Sequence, residues 1–312
     1  MAATATTTQV LSNATASASS GGTIKTTMMD QITPELVEGP LFLSEYHVRY
    51  NVFPAVLKTF LACTILYLCA LPIANRILQT ENTNADKRRL SYQITNLITN
   101  AFMGLLGLYA QYNLLPEDAS VPDKIQGLEE LAILGSVQIG YQIWSILIGL
   151  FFVKETIPMF IHHVCAISAS CKVAFLINGF RYFAPLALGM TELSSVPLAI
   201  MNAFKNNKSW ADAFPTAYIL VRLVFSVAFL VIRVYMFVPQ HLEYLKLAFL
   251  VPYLATEQAL WYRLFMFTNW VGAFFLLSLQ LYWGYLIVTG MMKFVYDGNH
   301  QEVSKVQTKK VD

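Results

Sequence analysis

The residues best suited to chemistry are two adjacent histidines, His162 and His163, inside the apolar stretch 157–167, and a lone acid, Glu192, on the next such stretch. An ionisable group at membrane depth costs about 2.5–3.5 kcal/mol on insertion scales, which makes it a functional candidate by default. An imidazole can serve as general base toward an amine or hydroxyl, or as a transient acyl acceptor. A carboxylate nearby can orient the ring and steady the imidazolium, so His162, His163 and Glu192 form the candidate catalytic set. Helical neighbours point about 100° apart, so one histidine of the pair faces inward, and the sequence leaves open which. Neither has a second histidine or a carboxylate at i±3 or i±4, and the spacing is not H-E-x-x-H. No metal site is expected.

Upstream, Gln138, Tyr141, Gln142 and Ser145 recur at i, i+3, i+4 and i+7, a polar stripe down one helix. Downstream runs Thr191-Glu192-Leu193-Ser194-Ser195-Val196-Pro197, with Asn202 seven residues after Ser195. Pro197 releases a carbonyl near Leu193, and small hydroxyls can satisfy it again. Taken singly, Ser194, Ser195 and Gln138 read first as interhelical hydrogen-bonders, each worth about 0.6 kcal/mol in a membrane. Taken with the histidines, all seven residues are expected to line one polar cavity. Lys172, Arg222 and Arg233 also fall in or near spans. Long basic chains near helix ends snorkel, so Arg233 is expected to reach the interface, while Arg222 has the option of pairing with an acid.

The elements that must position these groups follow from composition. Of 312 residues 56% are hydrophobic and 13% charged, and the mean hydropathy is +0.50, too apolar for a soluble protein of this length. An all-α, multi-pass membrane protein is expected. Seven segments reach the roughly 20 residues that cross a bilayer: 53–78, 92–113, 131–153, 157–177, 182–204, 214–237 and 264–292. The stretch 244–261, broken by Pro252 and carrying Glu257 and Gln258, reads as interfacial or re-entrant, with an eighth crossing as the alternative. Lysines and arginines gather in alternate loops (Lys87, Arg88 and Arg89; Lys154; Lys205 and Lys208) and after the last span. This bias predicts a luminal N-terminus and a cytosolic C-terminus.

Residues 1–45 are rich in Ala, Thr and Ser and fit neither a signal peptide nor a transit peptide, so a disordered leader is expected. Asn13-Ala-Thr is a glycosylation sequon on that predicted luminal tail. The tail, 296–312, closes on Lys309-Lys310-Val-Asp, which is similar to the dilysine signal read by coat retrieval machinery on endoplasmic reticulum proteins. Net charge is only +2 with no basic tract, which argues against a nucleic-acid partner. The four cysteines lie in apolar segments without C-x-x-C spacing and read as small hydrophobes. No nucleophile elbow, phosphate-binding loop or dinucleotide fingerprint is present, so the common hydrolase, kinase and dehydrogenase chemistries are excluded and no bound cofactor is expected.

Four blocks in order resemble the TLC-domain family, which includes the ceramide synthases. They are Gly140-Tyr141-Gln-Ile-Trp144, the His162-His163 element that opens at Pro158, Glu192-Leu-Ser194-Ser195-Val-Pro197, and Leu279-Gln280-Leu-Tyr-Trp283. The third is similar to the block of the TLC domain-containing protein 4-like branch. The resemblance covers about 53–295 and implies a six-helix barrel-like bundle plus an additional N-terminal or interfacial helix, in the endoplasmic reticulum membrane, with membrane lipids as partners. It implies one of two roles. One is acyl transfer to a lipid amine or hydroxyl, with acyl-CoA as co-substrate. The other is a non-enzymatic protein that binds a lipid or fatty acid and regulates membrane composition. Two departures stand out. Ser145 occupies a position where many members carry Asp, and Met190-Thr-Glu192-Leu-Ser194-Ser195 is poorer in acids than the synthases' corresponding run.

Overall fold

The computed structural model describes residues 31–33, 36, 40–78, 83–254 and 258–308, and side chains up to 293 together with Tyr296. Asn13, Lys309 and Lys310 lie outside the described residues. The elements are α1 (Glu45–Ile77), α2 (Asn84–Asn113), the short α3 (Val121–Gln126), α4 (Ala132–Ile148), α5 (Ile157–Phe175), α6 (Pro185–Asn206), the short α7 (Lys208–Ala213), α8 (Pro215–Leu254) and α9 (Leu260–Thr308). α4 ends in a π-helical turn, Gly149–Val153.

Two helix starts are fixed by local side chains. Thr83 with Asp86, and Ser120 with Asp123, form reciprocal capping boxes at α2 and α3. Six of the described helices are long and apolar enough to cross a membrane. α2, which covers the expected span 92–113, is less apolar because it turns Ser91, Thr95, Thr99 and Asn100 into the interior. Its 30 residues extend about 45 Å, ample for a crossing.

The helices close on themselves. α1 packs on α2, α2 on α6, α6 on α8, α8 on α9, α9 on α5, α5 on α4, and α4 again on α1. Glycines set the closest approaches. A β-carbon on Gly107 of α2 would lie 2.3 Å from the backbone nitrogen of Met190 and 2.5 Å from the Cα of Gly189, so α2 and α6 touch backbone to backbone. Gly140 of α4 meets the carbonyl of Val56 on α1 in the same way. An aromatic cluster of Tyr67, Tyr92, Tyr141 and Trp144 fills the space between α1, α2 and α4.

Two helices run further than the expected spans. Within the stretch read as interfacial or re-entrant, residues 244–254 continue α8 unbroken past Pro252, and α9 begins at Leu260. Forty residues of helix are about 60 Å long, twice the hydrocarbon thickness, so α8 holds both the sixth span and the stretch after it. Tyr244, Leu247 and Ala248 are buried there, and packing on neighbouring helices outweighs the break that Pro252 suggests. Likewise α9 continues through much of the expected tail, to Thr308, with no proline to stop it.

The turn after α5 is held by Arg181, which is 1% exposed. Its guanidinium donates to the carbonyls of Val173 (3.2 Å), Ile177 (3.1 Å) and Leu176 at the end of α5, and of Gln126 (2.8 Å) in α3. Burial draws this guanidinium down to about 10, against the opposing pull of Glu129 and Glu130, and it remains charged at neutral pH.

Candidate functional site

The histidine pair is split between two environments. His163 turns toward α4 and is 5% exposed. Its Nδ1 bonds to Oε1 of Gln142, and its Nε2 lies 3.0 Å from Oε2 of Glu155 and 3.4 Å from Oγ of Ser145. Tyr92 OH donates to Oε1 of Glu155 (2.7 Å) and shares a 2.6 Å hydrogen bond with Ser145. The tight turn between α4 and α5 delivers Glu155: Lys154 takes the left-handed conformation at φ 60°, which folds the chain back over Gly149. A β-carbon on Gly149 would meet the Glu155 carboxylate at 2.9 Å, so only glycine leaves that space open. Both ring nitrogens of His163 are therefore engaged, and this cluster ties α2, α4 and α5 together.

His162 turns the other way, into a cavity between α5, α6, α8 and α9. Its ring lies 6.1 Å from that of Trp283 on α9, and its buried Nδ1 has no hydrogen-bond partner among the described residues. The cavity has a volume of about 80 Å³, room for a few water molecules or a lipid headgroup rather than a whole lipid.

The polar wall of the cavity is built on Glu192, 9% exposed. Oε1 accepts from Gln138 Nε2 (3.1 Å), and Oε2 accepts from Ser195 Oγ (2.8 Å) and lies 3.7 Å from Nη2 of Arg233. The Arg233 guanidinium also donates to Ser194 Oγ (2.6 Å), Ser195 Oγ (2.8 Å) and Oε1 of Gln280 (3.4 Å). Irregular helix brings the pair together. α6 winds as a π-helical turn over Pro185–Gly189, then a 3-10 turn over Met190–Ser194, before the regular helix from Ser195. α8 is π-helical over Phe229–Met236, the segment that carries Arg233. Such insertions rotate side chains that a regular helix would aim elsewhere, and they recur at functional sites.

The expected residues thus separate. His162, Glu192 and Gln138 line the cavity, whereas Gln142 and Ser145 belong to the His163 cluster. Tyr141 stacks on Trp144 and bonds to Asn96 (3.3 Å). Ser194 and Ser195 act as bridges behind the ion pair. Asn202 lies further along α6, away from the cavity. Two expectations are corrected. Glu192 is paired with Arg233 rather than with a histidine, and Arg233 is buried rather than snorkelling. An arginine is always charged, so it is the natural counter-charge for an acid withdrawn from water. The signal was available, since Glu192 and Arg233 are opposite charges on facing spans, each in need of a partner. Glu155 and Tyr92 gave no comparable signal: one reads as a loop acid beside Lys154, the other as a common interfacial aromatic.

Comparison with protein-family models matches the TLC domain over residues 89–289, more than half of the chain. The matched region contains most of α2 and most of α9, with α1 preceding it. No curated protein and no solved structure matches.

Proposed function

The chain belongs to the TLC-domain family, and from the cavity at the centre of its bundle we propose that it acts in membrane lipid metabolism by admitting the polar end of a lipid beside the imidazole of His162. The observation that carries this reading is His162 itself, a cavity-lining imidazole whose buried Nδ1 has no hydrogen-bond partner among the described residues, set against a buried Arg233–Glu192 pair. In acyl transfer, His162 takes the proton from a lipid hydroxyl or amine as that atom bonds to the thioester carbonyl of an acyl-CoA. The carbon–sulfur bond then breaks, and the thiolate leaves with the proton from His162. Glu192 and Arg233 hold the wall rather than the base. Placement in the TLC domain-containing protein 4-like branch belongs to the same proposal, and rests on the block from Glu192 to Pro197.

A second reading, a non-enzymatic lipid-binding regulator, is favoured by the full engagement of Glu192, which leaves His162 without an orienting carboxylate. Purified protein supplied with labelled acyl-CoA and membrane lipids separates the two. The first reading expects labelled product or adduct, lost in His162→Ala. Lipid that copurifies with the wild type but never turns over selects the second.

For location we propose the endoplasmic reticulum membrane, with the N-terminus luminal, the C-terminus cytosolic, and retrieval through Lys309 and Lys310 by the coat machinery. Arrival of the wild type at the cell surface contradicts this, as does unchanged location after Lys309→Ser with Lys310→Ser.

A further inference from the structure

We propose that Lys172, at the far end of the same cavity from His162, is a binding site for the oxyanion headgroup of an anionic amphiphile, a carboxylate or a phosphate monoester carried on an acyl chain. This rests on the reading of the cavity as a lipid site and extends it to the ligand's charge.

Lys172 lies in the last turn of α5 and is 2% exposed, yet it lines the cavity. Its ammonium donates to the hydroxyl of Tyr244 on α8 and sits 4.1 Å from the centre of the Tyr244 ring and 4.9 Å from that of Phe180. Two aromatic faces and a phenol can hold a cation but do not neutralise it. Among the described residues no carboxylate pairs with Lys172. Glu243, one residue before Tyr244, is committed to Lys124 at 2.7 Å, and the cavity's Glu192 to Arg233. The cavity wall carries two basic side chains, Lys172 and Arg233, and a single acid, Glu192.

Nor is Lys172 needed to cap its own helix, because Arg181 already takes the carbonyls of Val173, Leu176 and Ile177. An ammonium has three N–H donors and Lys172 spends one on Tyr244, so two remain for an anion. The surrounding loop is built for this place. Phe180 holds a left-handed conformation, φ 55°, unusual for a bulky residue, and is anchored by its N–H to the Ile125 carbonyl at 2.7 Å. Ten residues of α5, about 15 Å, separate Lys172 from His162, and the wall between them is apolar, with Ala166, Ala169 and Val173 on α5. With a volume of about 80 Å³ the cavity admits the charged headgroup, and the acyl chain would stay outside it in the surrounding lipid.

The test measures binding of oleate, oleyl alcohol, oleoyl lysophosphatidate and inorganic phosphate to the purified full chain, by native mass spectrometry and thermal shift. The wild type is expected to bind oleate or the lysophosphatidate at least 10-fold more tightly than oleyl alcohol. Lys172→Met is expected to lose that preference, and Lys172→Arg to keep it. Should Lys172→Met fail to fold, Tyr244→Phe decides. It keeps the ring and frees the third donor, so the preference for oleate over the alcohol should persist or grow. Equal affinity for oleate and oleyl alcohol in the wild type overturns the proposal, as does an unchanged preference in Lys172→Met or a lost one in Tyr244→Phe. Inorganic phosphate binding as tightly as the lipids overturns the lipid origin of the anion. If lipid binds without regard to charge, the subsite fails while the cavity's role in lipid handling stands. If none of the lipids binds, that wider role fails.

Discussion

At the residue scale the two histidines have different work. His163 is enclosed by Gln142, Ser145 and Glu155, so replacing it leaves buried acceptors without a donor. His163→Ala is expected to destabilise the protein by about 1–3 kcal/mol, read as a lower melting temperature in detergent. His162→Ala removes no hydrogen bond and should leave the melting temperature nearly unchanged while abolishing labelled product. Equal loss of stability in both variants contradicts this division. The pair was legible in the sequence as a place where ionisable groups need a reason, but not which member faces the cavity. Adjacent helical positions are indistinguishable until the neighbouring helices are placed, and Glu155, which fixes His163, reaches it only through the backbone reversal at Lys154.

At the scale of elements, the Arg233–Glu192 pair depends on the irregular windings of α6 and α8. Removing one partner leaves a buried charge uncompensated, a loss of about 3–5 kcal/mol, whereas removing both costs less. Arg233→Leu should therefore melt well below the wild type, and Arg233→Leu combined with Glu192→Gln should recover much of the difference. A double variant no more stable than the single rules out the pair as a coupled unit. The helices were readable from runs of apolar residues. The windings were not, because a regular 3.6-residue period assigns Arg233 to the helix end and Ser194 and Ser195 to the cavity, and π and 3-10 turns shift that phase. The contact of α2 with α6 is equally specific. Gly107→Leu would drive a side chain into the backbone of Gly189 and Met190, and should destabilise by at least about 1–3 kcal/mol, since backbone cannot yield as a side chain does.

At the scale of the whole molecule, seven helices form a ring, and α4, α5, α6, α8 and α9 line a narrow space within it, with polar groups at its ends. The membrane class was evident from 56% hydrophobic and 13% charged residues, and the all-α architecture from apolar runs of about 20 residues. The continuity of α8 through 244–254 was not, since Pro252 suggests a break that packing overrides. The central claim is that this interior space receives the polar end of a lipid. A fatty acid that carries its photo-crosslinker beside the carboxylate, incorporated by cells and mapped by mass spectrometry on the purified protein, tests it most directly. The account predicts adducts on cavity-lining positions such as Ala169 and Leu188. Adducts confined to outward-facing residues such as Leu61 and Phe102, as for any helix bathed in lipid, would contradict it.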